Sequence, residues 1–317
     1  MELPRAILGT MTFGKPVKAA EAERMVRTFL DAGGVEIDTA RIYADGRTEE
    51  ILGGILKSLE RGAVRIATKA HPSRGGLGPD PVTTQLEESL RTLGTDYVDL
   101  FYLHQPDPDT PIERTLEACA RLHEGGRFRE LGLSNYPAWQ VAGIAYLARR
   151  EGWPVPVVYQ GMYNALTRDV ERELSPCLRA LGMRFYAYNP LAAGLLTGRY
   201  RAGGVVANPP AEGRFKDFDF YVDRYWKSAY LDAAEMACAA CDGAGLAPAA
   251  AALRWLARHS ILKGERGDAV IVGASRLAHI EENLAACGGA DLPPEVVRAF
   301  DEGWDLARPA CPKYFRP

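Results

Sequence analysis

Asp38, Lys69 and His104 each stand at or near the end of a short apolar run (GVEIDTA, VRIATKA and DYVDLFYLH), and Tyr43 follows the first of these runs in a loop. If the runs are neighbouring parallel strands, Asp38 and Lys69 lie on elements ~4.8 Å apart. A lysine is rarely buried without a partner, and a partly desolvated charge is expected to pair. A cation beside a phenol favours the phenolate. Lys69 is therefore expected to lower the pKa of Tyr43 and make it a proton donor near neutral pH. His104, one run further on, is placed to polarise or orient the same acceptor. A proton donor, a supporting cation and an orienting imidazole suit the reduction of a carbonyl, with the proton going to oxygen and hydride to carbon. No side chain carries hydride, so a nicotinamide cofactor is implied. Taken singly, each residue has an ordinary reading: Asp38 as a turn or cap residue, His104 as a hydrogen-bonded structural histidine. Their joint occurrence at successive run ends carries the chemical reading.

Other polar residues close the remaining runs: Ser134 and Asn135 in FRELGLSN, Gln160, Tyr163 and Asn164 in VVYQGMYN, Tyr188 and Asn189 in RFYAYNP, and Gly273 to Ser275 after DAVIVGA. Eight strands are predicted, at 5–11, 34–40, 64–70, 96–104, 128–135, 157–164, 184–190 and 268–274. Between them lie stretches whose apolar residues recur at three and four, as amphipathic helices require. One is DVERELSPCLRALG, and several end in glycine, a helix stop signal. Eight βα units in about 300 residues predict an α/β fold, a (β/α)8 TIM barrel, with the whole chain, 1–317, as one domain. An open dinucleotide-binding sheet would carry a G-x-G-x-x-G turn after its first strand. None is present, and the glycines at 75–78 break the pattern at Pro81. On a barrel all of these residues reach the C-terminal face, where barrel enzymes hold their sites. The connection at 191–227 and a tail at 305–317 would reach the same face.

Lys and Arg number 38 against 41 Asp and Glu, a net charge of −3, with a pI near 6.0. That argues against a nucleic-acid partner, which would call for a basic stripe. No apolar run reaches the ~20 residues of a spanning helix, and MELPRAILGTMTFG lacks the layout of a signal peptide. No membrane association and a cytoplasmic location are expected. The six cysteines are widely scattered, which suits a reducing compartment. Cys238 and Cys241 form a CxxC in an Ala-rich helical run with no second ligand pair nearby, so they read as small buried residues, and no metal site is expected.

IDTARIY, ATK and DLFYLHQPD together resemble the aldo-keto reductases, NADPH-dependent carbonyl reductases with the (β/α)8 fold. The resemblance implies Asp38, Tyr43, Lys69 and His104 as catalytic tetrad, with Tyr43 as general acid and Asp38 also at the cofactor. GLSN implies Ser134 and Asn135 on the nicotinamide carboxamide, with Gln160 beside them. AYNPLAAGLLTGRY implies Tyr188 stacked on the nicotinamide ring. The loop through Asn189, Pro190, Leu191, Gly194, Leu196, Gly198 and Arg199 would then fold over the pyrophosphate. Arg214 of GRF would also help hold the cofactor. VGASRLAHIEEN implies Ser275 and Arg276 toward the 2′-phosphate, Asn283 and Glu282 toward adenine, and Gly273 and His279 as further cofactor residues. A basic residue near a 2′-phosphate favours NADPH.

GTM, YQGMYN, GRFKD, DRYWK and CPKYFR are similar to one branch, the aflatoxin-aldehyde and succinic-semialdehyde reductases. That implies a substrate pocket of Met11, Tyr43, His104, Tyr221, Arg224 and Arg316, the arginines holding an acidic or polar substrate end through their two-pronged donors. Carboxylate-bearing or dicarbonyl aldehydes are the substrates so implied, and a homodimer is a further expectation from the branch. The chain departs from it in a shorter loop, GRFKDFDFYVDRYW, and in His279, where the branch has glutamine. Two alternatives stay open: a reductase of keto-deoxysugar nucleotides, which the shorter loop would suit, and a cofactor-binding regulatory subunit of the kind that serves potassium channels.

Overall fold

The computed structural model describes residues 2–200, 208–210 and 213–316. Eight parallel strands close a barrel in chain order: β1 (Arg5–Gly9), β2 (Glu36–Asp38), β3 (Arg65–Ala70), β4 (Val98–Leu103), β5 (Phe128–Ser134), β6 (Val158–Met162), β7 (Arg184–Tyr188) and β8 (Ala269–Gly273). The seam is in register from Arg5↔Ala269 to Gly9↔Gly273. The first six connections carry α1 (Ala19–Asp31), α2 (Arg47–Leu56), α3 (Pro79–Leu93), α4 (Ile112–Glu124), α5 (Ala138–Glu151) and α6 (Leu174–Leu181). After β7 come α7 (Arg214–Asp217), α8 (Asp219–Tyr225), α9 (Ser228–Gly243) and α10 (Pro248–Arg258), and after β8 come α11 (Leu277–Cys287) and α12 (Pro294–Ala307).

All eight expected strands are present, each shorter than expected at one end or both. The helix expected across DVERELSPCLRALG is shorter: a 3-10 turn covers Asp169–Glu171 and α6 begins only at Leu174. Pro176 then falls in its first turn, where a missing N–H breaks no helical hydrogen bond. The connection expected at 191–227 carries α7 and α8, while 201–207 and 211–212 of it lie outside the described residues.

Strand side chains alternate between faces, and this sorts the barrel interior into three layers. The lowest holds Arg5, Glu36, Arg65, Glu130 and Arg184, joined by Arg184–Glu130 at 2.7 Å and Arg65–Glu130 at 3.1 Å. The middle layer is apolar and aromatic: Ile7, Ala67, Leu100, Tyr102, Val158, Tyr186, Ala269 and Ile271. Gly132 belongs to it by omission, because a Cβ there would stand 2.5 Å from the Tyr102 ring. The same parity brings Asp38, Lys69, His104, Ser134, Gln160 and Tyr188 to the upper layer. The outer strand faces meet the helices in a second core that includes Leu8, Ile37, Ile66, Phe101, Leu133 and Val272.

Among the described residues no single helix is long and apolar enough to cross a membrane. The pair α9 and α10 has the length and composition but bends by 97° and buries Tyr230, Cys241, Trp255 and Leu256. Cys238 and Cys241 are buried on α9, as their Ala-rich setting predicts.

Candidate active site

Lys69 is the centre of the upper layer. Its Nζ donates to Asp38 Oδ1 at 2.6 Å, to the Thr39 carbonyl at 2.7 Å and to the Tyr43 hydroxyl at 3.3 Å. The ammonium lies over the Tyr43 ring at 4.9 Å and the Tyr102 ring at 5.7 Å. Asp38 takes a second hydrogen bond from Gln160 Nε2 at 2.8 Å, reaching across from β6. Burial pulls the Lys69 ammonium below its ordinary pKa, and Asp38 and Glu49 push it back up. Glu49 acts from α2, fully buried, accepting from Thr68 at 2.6 Å and Ser89 at 3.1 Å.

The loop that carries Tyr43 is strained. Ala44 and Asp45, directly after it, have φ of 46° and 53°, a region that costs side-chain-bearing residues of order 1–3 kcal/mol each. Gly46 completes the turn with φ 93°, and a Cβ there would strike the Arg41 guanidinium. Arg41 is held in turn by Glu88 at 3.1 Å. The expected effect of Lys69 on Tyr43 is not found. Burial, then Asp38, raises the Tyr43 hydroxyl well above its ordinary pKa. The cation is itself paired with the carboxylate 2.6 Å away, and it does not offset the desolvation of the phenol. Tyr43 therefore keeps its proton in the free protein.

His104 follows β4. Burial, with Lys69 and His71 nearby, holds its imidazole well below the ordinary value, so it is neutral. Its ring stands edge-on to Tyr43, with centroids 6.0 Å apart, and to His71 at 5.1 Å. His71 and Gln105, which hydrogen-bonds His71, belong to this site and were missed in the sequence. The signal lay one or two residues past the strand ends already marked at Lys69 and His104.

On β5 to β7, Asn135 donates to the His104 carbonyl and to Ser134 Oγ, both at 2.9 Å, and its Oδ1 accepts from the Tyr188 hydroxyl at 2.9 Å. Ser134 is opposite Gln160 in register. These side chains and the Tyr188 ring form one polar and aromatic wall. Arg224 and Arg316 come together above it: both act on the Tyr188 hydroxyl, and burial, then Arg224, lowers the Arg316 pKa. The Arg316 backbone N–H is tied to the Asn135 carbonyl at 2.8 Å, which fixes the C-terminal segment over the mouth. Tyr221 joins from α8; its hydroxyl accepts from Arg214 at 2.9 Å and lies 3.9 Å from Met11 Sδ. Arg214 Nη2 stands 3.7 Å from where a Cβ on Gly273 would be.

The other expected cofactor residues stand in varied settings. Asn189 is buried, donating to Tyr225 at 2.7 Å and accepting from Ala193 N–H at 2.9 Å, so its side chain shapes the loop. Leu196 is in the outer core and Pro190 is buried, leaving only their backbones for a ligand. Leu191 packs partly against the core, and Gly194 and Gly198 turn the chain with φ of 105° and 74°. Arg199 is exposed beside the Tyr200 ring. Ser275, Arg276, His279 and Glu282 are exposed around the start of α11, whereas Asn283 points inward to the Gly273 carbonyl at 3.4 Å. Among the described residues no group of three or more His, Cys, Asp or Glu could hold a metal ion.

The aldo/keto reductase family model matches residues 5–305. Aflatoxin B1 aldehyde reductase member 2 of Homo sapiens is 51% identical, over 98% of this chain and 89% of its own length; the Mus musculus protein of the same name is 50% identical over 99% and 88%. Aldo-keto reductase family 7 member A3 of Homo sapiens is 49% identical over 99% and 97%. With its closed barrel and this match over nearly its full length, the chain belongs to the aldo/keto reductase family, oxidoreductases that act on carbonyl groups.

Proposed function

We propose that this chain reduces aldehydes to alcohols with NADPH, Tyr43 giving the proton, and that it favours aldehydes bearing a carboxylate. The observation that carries this reading is the hydrogen-bonded series Asp38–Lys69–Tyr43 beside a neutral His104. The residues present fit the cofactor. Ser134, Asn135 and Gln160 offer the donors and acceptors a carboxamide needs, beside the flat face of Tyr188. Arg214, and Arg276 and His279 at the exposed start of α11, suit phosphate groups. When bound, the nicotinamide supplies hydride to the carbonyl carbon.

Tyr43, protonated in the free protein, hydrogen-bonds the carbonyl oxygen and passes its proton as negative charge develops there. Lys69, already donating to the Tyr43 oxygen, stabilises the phenolate left behind, and Asp38 keeps Lys69 charged. Solvent then restores the proton. The neutral His104 imidazole presents an N–H to the same oxygen. Arg224 and Arg316 hold the far carboxylate. The names of the mouse and human relatives, aflatoxin B1 aldehyde reductases, agree with an aldehyde as substrate.

Absorbance at 340 nm reads the reaction, with 4-nitrobenzaldehyde and succinic semialdehyde as substrates. Tyr43→Phe is expected to lower kcat by roughly 10²–10⁴-fold with the Kd for NADPH nearly unchanged. Full activity in that variant would remove Tyr43 as the acid. Arg316→Ala is expected to raise KM for succinic semialdehyde about tenfold, the scale of a charged hydrogen bond, and to leave 4-nitrobenzaldehyde within about twofold. Equal effects on both substrates would remove its role.

A further inference from the structure

We propose that His71 is a positioning residue for His104, setting the plane of that imidazole by ring contact; this rests on the catalytic reading of His104 above. His104 Nδ1 is buried and, among the described residues, has no hydrogen-bond partner. No hydrogen bond through that atom therefore fixes the ring about its last torsion. Two rings hold it instead, Tyr43 at 6.0 Å and 76° and His71 at 5.1 Å and 89°. Tyr43 sits in the strained loop and must meet substrate. His71 is the anchored member of the pair.

The anchoring is explicit. The His71 backbone N–H donates to Gln85 Oε1 at 2.9 Å. Its Nδ1 accepts from the Ser73 N–H at 3.1 Å and lies 2.7 Å from Ser73 Oγ. An accepting Nδ1 leaves a neutral ring its N–H on Nε2, and Gln105 supplies a hydrogen bond to the same side chain. Besides the two imidazoles themselves, the charged and titratable groups around the rings are Lys69 on β3, Tyr43 in the loop after β2 and Arg316 on the tail. Burial first, and Arg316 as well, disfavour a charge on His71. The ring is thus a neutral wedge, fixed on one side by Ser73 and pressed edge-on against His104 on the other. A catalytic donor that swings by a fraction of its own width loses its alignment with the carbonyl oxygen.

Three measurements test this: kcat and KM with 4-nitrobenzaldehyde, NADPH affinity by fluorescence titration, and the ¹⁵N-histidine NMR spectrum of the protein without cofactor. The chain has five histidines, so the His104 signals are assignable from a His104→Gln spectrum. His71→Ala is expected to lower kcat about tenfold, with KM and NADPH affinity within about twofold, and to shift the His104 ring signals. His71→Phe, which restores a ring, is expected to return kcat to within about threefold of wild type and the His104 signals toward their original positions. If Ala at position 71 unfolds the protein by circular dichroism, His71→Asn replaces it, with the same expected loss. Wild-type kcat in the ringless variant, unmoved His104 signals, or a Phe variant as poor as the ringless one would each overturn the proposal. Absence of aldehyde reduction by the wild type would instead remove the catalytic reading, and the NMR arm would still decide whether His71 sets the His104 ring.

Discussion

Lys69 lies between two buried carboxylates of unequal reach. Asp38 bonds it directly, whereas Glu49 acts through space from behind β3. Because burial disfavours the Lys69 cation and Asp38 is the strongest group opposing it, the charge that supports Tyr43 depends on Asp38. Asp38→Asn removes that compensation and leaves a buried ammonium short of its direct partner. The Lys69 pKa then falls further below its ordinary value. The sign follows: at a given pH more of the lysine is neutral than in the wild type, and acidification restores the cation. We expect kcat at pH 7 to drop by roughly 10²-fold or more, with part of the loss recovered as pH is lowered toward 6. The melting temperature should fall as well, since breaking a buried ion pair costs about 3–5 kcal/mol. A pH–rate profile of the variant parallel to that of wild type would show that Asp38 does not hold the Lys69 charge.

The α1 and α11 helices meet where the 2′-phosphate of NADPH is proposed to bind. Helix starts favour anions, and Arg276 and His279 flank this one. Yet Leu277 N–H, in its first turn, already donates to Glu21 Oε1 on α1 at 3.2 Å. A phosphate arriving there gains from the cations and is repelled by that carboxylate. Glu21→Ala is therefore expected to tighten NADPH about threefold while NADH changes little, the difference shrinking as salt rises; fluorescence titration with both nucleotides measures it. An equal change for the two nucleotides would place Glu21 away from the phosphate. What could be read beforehand at this scale follows from parity. Once eight runs alternate with helices, Asp38, Lys69, His104, Ser134, Gln160 and Tyr188 must share one end of the barrel. Contacts between distant segments have no such local period. The chain from Arg214 through Tyr221 to Met11, the clamp of Glu21 on α11, and Glu49 behind Lys69 appear only when the elements pack. The Tyr43 expectation failed for a related reason: it weighed one cation against one phenol and left out the burial that the closed fold imposes on both.

The barrel as a whole is polar at both ends and apolar between, and its two ends treat charge differently. At the upper end each charge serves the proposed chemistry. At the lower end Glu36, almost fully buried, faces Arg5 at 3.7 Å and Arg65 at 3.6 Å. Burial still raises its carboxyl above the ordinary value, despite the pull of Arg5, Arg65 and Arg184. The folded protein therefore binds this proton more tightly than the unfolded chain. The stability that protonation contributes is fully present below the ordinary carboxylate pKa. It is lost as pH rises through the raised folded value. Glu36→Gln removes the titration and leaves three arginines with less countercharge, so its absolute effect on stability has opposing parts. The pH dependence does not share that ambiguity. The melting temperature of the variant minus that of wild type is expected to rise from pH 5 to pH 8, because only the wild type loses stability at this site over that range. A difference that stays flat, measured by calorimetry at several pH values in buffers of one ionic strength, would mean that Glu36 titrates alike in the folded and unfolded chains and that the arginines offset its burial.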